Sequence, residues 1–555
     1  MTIMSRIVGN RAITGALLAG ASCSALLPPA AAAAECSAAS IQAMAPAGTT
    51  IVSAVSTAEP APHCRINGYV TTNNPGPNKV NFRVQLPDAN WNGRYYFIGL
   101  GATAGYVPSD SQIPAGNPIV QGFAVAGTDT GQQNLADWSF IHNNPAQALD
   151  YRDRGGHVAT VAAQAITKGY YKTNKMWRYH SGCSGGGRMG MEAMTRHPED
   201  YDGFLIGAPG LGPKFGAETM LAFIYLGQQM IREPGAWVSP AKLAMLEKKV
   251  TDHCDPLDGA KDGIIWEHEK CTFDFKPLLC KSGDGTDCLT APELRTVEAI
   301  LRGPYGPKGK IKDGYPISNM SVWSGFIGAS PPWPSPMRMD AMTPAGMRNI
   351  PIGYFMGNSL ARGYFGDSFN GLTDFDFNNQ AQLDAWWAAG PKYKFGESYT
   401  TDLRPFKKLG GKVIFWNGVS DPCCLDQDFI KYYNTVGKTI GGTAALTTFT
   451  RMYKIPGIGH CGGGTGPQDA PDQLLTTLMA WVENGKKPQS VVAHRGVRAR
   501  PLFADPKTGT VSGVVVPPST GSARDFLLCP YPTIAKFNGK PGGEMDAVNW
   551  ACRAK

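Results

Sequence analysis

One glycine-rich segment in the first half of the chain constrains the fold more than any other feature. It reads Gly-Cys-Ser-Gly-Gly at residues 182–186 and fits the pattern G-x-S-x-G. This pattern is typical of a strained strand-to-helix turn that exposes a nucleophilic serine, here Ser184. A strand-like run at 176–179 precedes it, and apolar side chains follow at helical spacing. The pattern also occurs in ordinary glycine-rich turns, so it needs support from elsewhere in the chain.

That support comes from two distant segments. Asp421 follows a strand-like run at 413–416. His460 follows a Gly-Ile-Gly segment at 457–459, and a predicted strand at 447–453 precedes that segment. The order Ser184, Asp421, His460 is that of α/β-hydrolases and differs from the orders of chymotrypsin and subtilisin. The sequence therefore predicts an α/β-hydrolase fold in which Ser184 attacks, His460 is the base and Asp421 orients the histidine.

A cysteine adjoins two of these residues. Cys183 precedes Ser184, and Cys461 follows His460. A disulfide between the two cysteines would hold the serine beside the histidine, because bridged residues lie only a few ångströms apart.

Three other polar residues are weaker candidates for the site. Asp129 follows a strand-like run, but a turn role suits it better than catalysis. Asp202 precedes its strand instead of following it. His157 lies in a helix predicted to begin at Tyr151 and to run through Lys168, and we expect it to hydrogen-bond inside the structure.

A second glycine-rich stretch, residues 99–105, follows an early predicted strand at 95–98. Hydrolases of this fold place an oxyanion donor in such a loop. We expect the backbone N–H of Gly185 and that of Gly101 or Ala102 to hold the oxyanion. A plain glycine-rich loop is the alternative.

The first 34 residues predict a secretory signal peptide. Arg6 and Arg11 form its charged region, 12–27 its apolar region, and 30–34 supply small residues for cleavage. A membrane anchor is the less favoured alternative, because the apolar run is short. A lipoprotein site at Cys23 is another alternative, and Gly-Ala-Ser before it lacks the usual large aliphatic residue.

Composition agrees with export to a secreted or periplasmic location. Thirteen cysteines leave an even twelve after the predicted leader, which suits an oxidising compartment. No other stretch is long and apolar enough to predict a membrane span. The net charge of +8 is mild for 555 residues and comes without lysine–arginine runs, so nucleic acid is not expected as a partner.

The combination of Cys-Ser at 183–184, Asp421, and His-Cys at 460–461 resembles the tannase and feruloyl esterase family. Segments 197–210 and 529–552 are similar to it too. The resemblance implies a secreted serine esterase that hydrolyses aromatic carboxylic esters of the feruloyl, galloyl or terephthaloyl type. An esterase for another bulky acyl ester, a peptidase, and a catalytically silent binding protein on the same fold are the alternatives.

The family also bears on the glycine-rich loop and on the cysteines. Family members usually have Gly-Asn-Gly-Gly where this chain has Gly-Leu-Gly-Ala at residues 99–102. Leu100 and Ala102 therefore differ in their side chains, but the backbone N–H groups are kept. Cys423 and Cys424 remain unassigned, either as a vicinal disulfide or as thiols. The resemblance implies five disulfides: Cys36–Cys64, Cys183–Cys461, Cys254–Cys271, Cys280–Cys288 and Cys529–Cys552.

A long insertion separates Ser184 from Asp421. We expect residues 212–396 to form a lid domain, with 35–211 and 397–555 as the two parts of the hydrolase domain after the signal peptide at 1–34. Aromatic residues of the lid are candidates for an acyl pocket, although most are expected in the core. They are Trp323, Phe326, Trp333, Tyr364, Trp386 and Trp387; Arg362 is a weak candidate for meeting an anionic or phenolic substrate edge.

Within the lid, residues 254–265 carry three aspartates within eight positions, together with two glycines. Oxygen ligands at this density suit Ca²⁺, although the spacing is not that of an EF-hand. The resemblance implies a structural calcium ion in the lid, and a solvated turn is the alternative. The implied ligands are the side chains of Asp255, Asp258 and Asp262 and the carbonyls of Ala260 and Ile264.

Overall fold

The computed structural model describes residues 34–108, 116–134, 136–210, 216–318, 320–323, 328–333, 350–393, 399–498 and 521–554. The predicted signal peptide, except Ala34, and Phe326 lie outside these ranges.

A nine-stranded sheet forms the centre of the molecule, in the order β1-β2-β3-β5-β4-β6-β7-β10-β11. Its members are β1 (Thr49–Thr57), β2 (His63–Thr72), β3 (Asn78–Pro87), β4 (Arg94–Gly99), β5 (Ala124–Thr128), β6 (Trp177–Cys183), β7 (Gly203–Gly207), β10 (Lys412–Gly418) and β11 (Thr450–Ile455). The first three strands and the β3–β5 pair are antiparallel, and every pair from β5 to β11 is parallel. The fold is therefore the mixed α/β architecture that the sequence predicts, with a mostly parallel sheet.

The parallel strands are buried on both faces, as their apolar sequences require. Strands β5 and β7 are buried along their whole length, and β10 is buried from Val413 onward. Because β6, β10 and β11 run in one direction, their carboxyl ends lie at one edge of the sheet. Segments that follow these three strands carry Ser184, Asp421 and His460.

Fourteen helices are described around the sheet. They are α1 (Ala38–Gln42), α2 (Gly116–Val120), α3 (Pro145–Leu149), α4 (Gly155–Tyr170), α5 (Gly185–Arg196), α6 (Ala217–Ile231), α7 (Pro240–Cys254), α8 (Ala291–Arg302), α9 (Ile352–Phe365), α10 (Gln380–Lys392), α11 (Arg404–Lys408), α12 (Asp426–Ile440), α13 (Thr443–Leu446) and α14 (Ala470–Asn484). No helix in the described ranges is both long and apolar enough to cross a bilayer.

Two predicted elements begin later than the sequence suggested. A π-helical turn, Asp150–Arg154, precedes α4. The regular α-helix therefore starts at Gly155 and not at the predicted Tyr151. The predicted strand at 447–453 starts at Thr450, because the N–H groups of Thr447 and Thr448 bond to carbonyls of α13 instead.

Helices α6 to α10 and the two-residue strands β8 (Tyr305–Gly306) and β9 (Gly309–Lys310) lie between β7 and β10 in the chain. Because β7 and β10 are paired neighbours, this segment leaves the sheet and returns to the adjacent position. Helix α6 packs against α9, where Gly357 allows close approach to the Met220 carbonyl. The exact domain boundaries stay a prediction.

The C-terminal part adds two small antiparallel sheets. One pairs β12 (Val491–Arg495) with β13 (Arg524–Leu528), and the other pairs β14 (Thr533–Phe537) with β15 (Trp550–Ala554). All five disulfides implied by the family resemblance are present, including Cys529–Cys552 in this region. Cys423 and Cys424 are free thiols.

Candidate active site

Ser184 occupies the sharp turn that the sequence predicts. It follows β6 directly and precedes α5, with φ 60° and ψ −121°. A positive φ is unfavourable for a residue with a side chain and is retained where the surroundings impose it. The N–H of Ser184 donates to the Gly207 carbonyl of the neighbouring strand at 3.0 Å, which fixes the turn to the sheet.

The glycines of the motif are required by close backbone approach. A Cβ at Gly186 would overlap the carbonyl of Gly99 at the end of β4, and one at Gly182 would lie 2.6 Å from the Gly186 carbonyl carbon. Real side chains do not fit at such distances. The pattern G-x-S-x-G thus reflects the packing of this turn against the edge of the sheet.

The two segments predicted to supply oxyanion donors lie against each other. A Cβ at Gly185 would overlap the Ala102 carbonyl oxygen and lie 2.9 Å from the Ala102 nitrogen. Ala102 itself has a φ of 52°, which places an alanine in a conformation that glycine adopts more easily. Leu100, in place of the family's usual asparagine, is 5% exposed and packs in the core.

Asp421 and His460 form a direct pair in the segments that follow β10 and β11. His460 Nδ1 lies 2.9 Å from Asp421 Oδ2 and 3.1 Å from Oδ1. The N–H groups of Cys423 and Cys424 donate to Asp421 Oδ1 at 2.7 and 2.9 Å, so backbone donors hold the carboxylate as well. Asp421 is 1% exposed, while the His460 side chain keeps 14% of its surface exposed.

A disulfide connects this pair to the serine turn. Cys183 and Cys461 are bonded, with their Cα atoms 5.8 Å apart. Cys183 immediately precedes Ser184 and Cys461 immediately follows His460, so the bridge confines both residues to the same small region. The sequence separation of 278 residues means that only the folded sheet brings these two cysteines together.

The buried pair changes the basicity of the histidine. Burial lowers the pKa of His460, but the charge of Asp421 and the hydrogen bond to it outweigh burial and raise the pKa above its ordinary value. An imidazole placed this way is a stronger base than a free histidine, and its Nδ1 is fixed by the carboxylate.

Two thiols adjoin the histidine. The sulfurs of Cys423 and Cys424 are 3.5 Å apart, and both side chains are buried. Each sulfur lies within 4.8 Å of a ring nitrogen of His460. The Cys423 sulfur and burial raise the pKa of the Cys424 thiol well above its ordinary value, so that thiol is neutral.

The aspartate loop is wound by glycines as expected. Asp255–Asp258 form a single 3-10 turn, and Gly259 and Gly263 have φ values of 95° and 78°. The carboxylate of Asp255 accepts from the N–H groups of Asp262, Gly263 and Ile264 at 3.0–3.3 Å. Ala260 and Ile264 are 3% and 2% exposed, so one side of the loop packs against the protein, while Leu257, at 52% exposed, faces solvent.

The charges of this loop suit a cation. Burial raises the pKa of Asp258 to about 7 and, with repulsion from Asp262, also raises that of Asp255. Of the three aspartates, only Asp262 forms an ion pair within the described part of the chain, with Arg524 at 2.8 Å. Buried carboxylates with raised pKa values and oxygen-only donors are a set that Ca²⁺ would stabilise.

The weaker candidates have structural partners. Asp129 accepts from the N–H groups of Asn81 and Gly131 and so holds a turn, as expected. Asp202 is bound by Arg178, and His157 Nδ1 lies 2.9 Å from Asp200.

The lid candidates are mostly packed or paired. Arg362 donates to Asp137 at 2.7 Å. Trp323 and Trp386 are 2% and 0% exposed and belong to the core. Trp333 and Trp387 are partly buried and pack against the hydrophobic core.

Comparison with known proteins agrees with this geometry. The family profile described as tannase and feruloyl esterase matches residues 64–553. The chain belongs to the tannase and feruloyl esterase family. It is therefore a carboxylic ester hydrolase, as the sequence predicted.

Individual relatives of the esterase are distant. It is 29% identical to a probable feruloyl esterase B-2 of Aspergillus terreus over 506 residues, covering 88% of this chain and 86% of that protein. It is 28% identical to the mono(2-hydroxyethyl) terephthalate hydrolase of Piscinibacter sakaiensis over 551 residues, covering 89% and 85%. The crystal structure of feruloyl esterase B from Aspergillus oryzae superposes with a TM-score of 0.73 at 24% identity, over 93% of this chain and all of that one.

Two features of this esterase were not found from its sequence. Arg524 pairs with Asp262 of the aspartate loop although the two are 262 positions apart, and no local pattern marks that contact. The backbone donors of Cys423 and Cys424 to Asp421 were missed too, since N–H groups carry no sequence signal.

Proposed function

We propose that Ser184, His460 and Asp421 form a catalytic triad that hydrolyses esters of aromatic carboxylic acids, of the feruloyl, galloyl or terephthaloyl type. The observation that carries the proposal is the His460–Asp421 pair, tied by the Cys183–Cys461 disulfide to the turn that bears Ser184. Names of two relatives, a feruloyl esterase and a terephthalate monoester hydrolase, support an aromatic acyl group.

In the proposed reaction, Ser184 Oγ attacks the ester carbonyl while His460 accepts its proton. Asp421 keeps Nδ1 protonated and stabilises the imidazolium that forms. His460 then donates its proton to the leaving alcohol, and a second cycle with water releases the aromatic acid and restores the serine.

The N–H of Gly185 and one from Gly101 or Ala102 are the proposed oxyanion donors. Their segments are in van der Waals contact beside Ser184, which supports this assignment. Each such donor contributes about 3 kcal/mol to transition-state stabilisation.

We include a structural Ca²⁺ in the proposal, held by the carboxylates of Asp255, Asp258 and Asp262 and the carbonyls of Ala260 and Ile264. When bound, the ion would neutralise the buried carboxylates and cross-link the loop. The loop lies beside the C-terminal sheets, where Trp266 stacks on Trp550 at 4.6 Å between ring centroids. Its proposed role is therefore to fasten the lid segment to the rest of the protein.

We also propose that the protein is exported, to the periplasm or the medium. Five disulfides and the leader-like residues 1–34 support an oxidising destination.

The test is hydrolysis of methyl ferulate, methyl gallate, mono(2-hydroxyethyl) terephthalate and a short-chain nitrophenyl ester by purified protein in calcium. We expect turnover of at least one aromatic ester and a loss of about 10,000-fold or more in Ser184→Ala. Turnover of the nitrophenyl ester alone would contradict the aromatic substrate class. Absence of all turnover in folded protein would favour a catalytically silent hydrolase fold.

A further inference from the structure

We propose that Cys423, Cys424 and His460 form a binding site for a thiophilic cation of the Zn²⁺ or Cd²⁺ class, and that occupation of this site switches the esterase off. The two sulfurs are 3.5 Å apart, and each lies within 4.8 Å of a ring nitrogen of His460. The inhibitory part of this inference rests on the proposed triad, whereas the binding part does not.

The separation of the sulfurs fits a tetrahedral ion. Two thiolates at about 2.3 Å from such an ion lie about 3.7 Å from each other. The observed 3.5 Å is close to this value. The imidazole nitrogen, within 4.8 Å of each sulfur, is the third donor of the same cluster.

The donor types fit the same class of ion. Thiolate and imidazole ligands prefer Zn²⁺ and related soft cations, while Ca²⁺ prefers oxygen. Three protein ligands leave a fourth position for water. On binding, two sulfur–metal bonds form and the two thiols release their protons to solvent.

These two cysteines are set apart from the others in the described part of the chain. The remaining ten form the five disulfides, so they offer no thiolate. The backbone of Cys423 and Cys424 is fixed, because the N–H groups of both bond to Asp421 and the Cys424 carbonyl accepts from Asn417. The site is therefore largely organised before an ion arrives. His460, with 14% of its side chain exposed, provides contact with solvent.

Occupation would disable the base through either ring nitrogen. A cation on Nδ1 would replace the bond to Asp421, and a cation on Nε2 would remove the lone pair that must accept the serine proton. Both arrangements stop proton transfer while leaving the Cys183–Cys461 bridge in place.

The experiment is a titration with Cd²⁺ of calcium-saturated protein whose five disulfides are intact and in which Cys423 and Cys424 are thiols. Calcium keeps the aspartate loop filled, and only thiolate ligands give the ultraviolet sulfur-to-cadmium charge-transfer band. We expect one equivalent to produce the band in the parent protein. In Cys423→Ser/Cys424→Ser the band should be lost, with each single variant weakening binding by more than about tenfold.

Inhibition is measured in the same samples, relative to each variant's own activity without cadmium. We expect the parent to lose activity in parallel with the band and to recover when a chelator removes the ion. The double serine variant should be at least about tenfold less sensitive.

Three results would overturn the inference. One is a parent protein with two titratable thiols but no charge-transfer band. Another is a mass lower by two hydrogen atoms with no titratable thiols, which would show a Cys423–Cys424 disulfide. Inhibition that is equal in the parent and the double variant would place the inhibitory ion elsewhere. A protein that is inactive on all esters but shows the band would contradict the proposed function and not the binding site.

Discussion

Arg524 and Asp262 form an ion pair that is completely enclosed by protein. Their side chains are both 0% exposed, and Arg524 Nη1 lies 2.8 Å from Asp262 Oδ2. The guanidinium also lies 4.2 Å from the centre of the Phe526 ring. Since Arg524 begins β13 and Asp262 belongs to the aspartate loop, this pair connects the C-terminal region to the inserted segment.

Removing the guanidinium should destabilise the protein strongly. Arg524→Met leaves the Asp262 carboxylate buried with one fewer partner, and we expect a loss of about 3–5 kcal/mol in the free energy of unfolding. Urea denaturation measured in calcium provides the value. Arg524→Met/Asp262→Asn removes both charges. Its loss in the free energy of unfolding should therefore be smaller than the sum of the losses in the two single variants.

An exposed ion pair of the same region supplies the control. Arg498 and Asp546 are 2.6 Å apart, with side chains 39% and 50% exposed. Arg498→Met should cost less than about 1 kcal/mol. Equal losses in the two arginine variants would contradict the special role of the buried pair.

The pH dependence of ester hydrolysis should reflect the raised pKa of His460. The base must be neutral, so kcat/KM falls as pH decreases through the pKa of the free enzyme's histidine. Because Asp421 raises that pKa, we expect the acid limb to lie above the ordinary histidine value of about 6.5. A pH–rate profile with the preferred aromatic ester measures its position.

Asp421→Asn tests the physical cause of this shift. It should move the acid limb to lower pH and reduce kcat about 10,000-fold. Asp402→Asn, at an exposed carboxylate that pairs with Arg404, should change neither quantity. An unshifted limb in Asp421→Asn would show that the carboxylate does not set the histidine's basicity.

The Cys183–Cys461 disulfide should matter for catalysis as well as for stability. Cys183→Ser/Cys461→Ser removes the covalent link between the segments of Ser184 and His460, and we expect a lower kcat together with a loss of about 2–5 kcal/mol in stability. Activity is assayed well below the melting temperature of the variant. The matched control is Cys280→Ser/Cys288→Ser, whose bridge spans only 8 positions in the lid segment and should leave kcat unchanged. Equal effects on kcat would argue against a positioning role.

Calcium removal should lower thermal stability. A ligand that binds only the folded state at 100 times its Kd adds about 2.7 kcal/mol, so a chelator should lower Tm and added calcium should restore it. Asp258→Asn should abolish most of this response. Asp252→Asn, at a 60% exposed side chain just outside the loop, should preserve it. A Tm of the parent protein that does not change with calcium would contradict the proposed calcium site.

Patterns local in sequence predicted much of this protein correctly. The strands around Phe97 and Phe415 follow from short apolar runs. The serine turn follows from glycines that must pack without side chains. Boundaries at Gly155 and Thr450 were missed because local backbone hydrogen bonds, which leave no clear sequence pattern, decide where those elements begin.

The sequence by itself determined the order of Ser184, Asp421 and His460, the glycine-rich turn, and the family, whose resemblance implied the five cysteine pairs. It did so because these depend on residue type and local spacing. Only the tertiary structure decided that Asp421 bonds His460, that Arg524 neutralises Asp262, and that two neighbouring thiols face the histidine. The physical reason is that these contacts join segments distant in the chain, and the packing of the parallel sheet and its connections brings them within bonding distance.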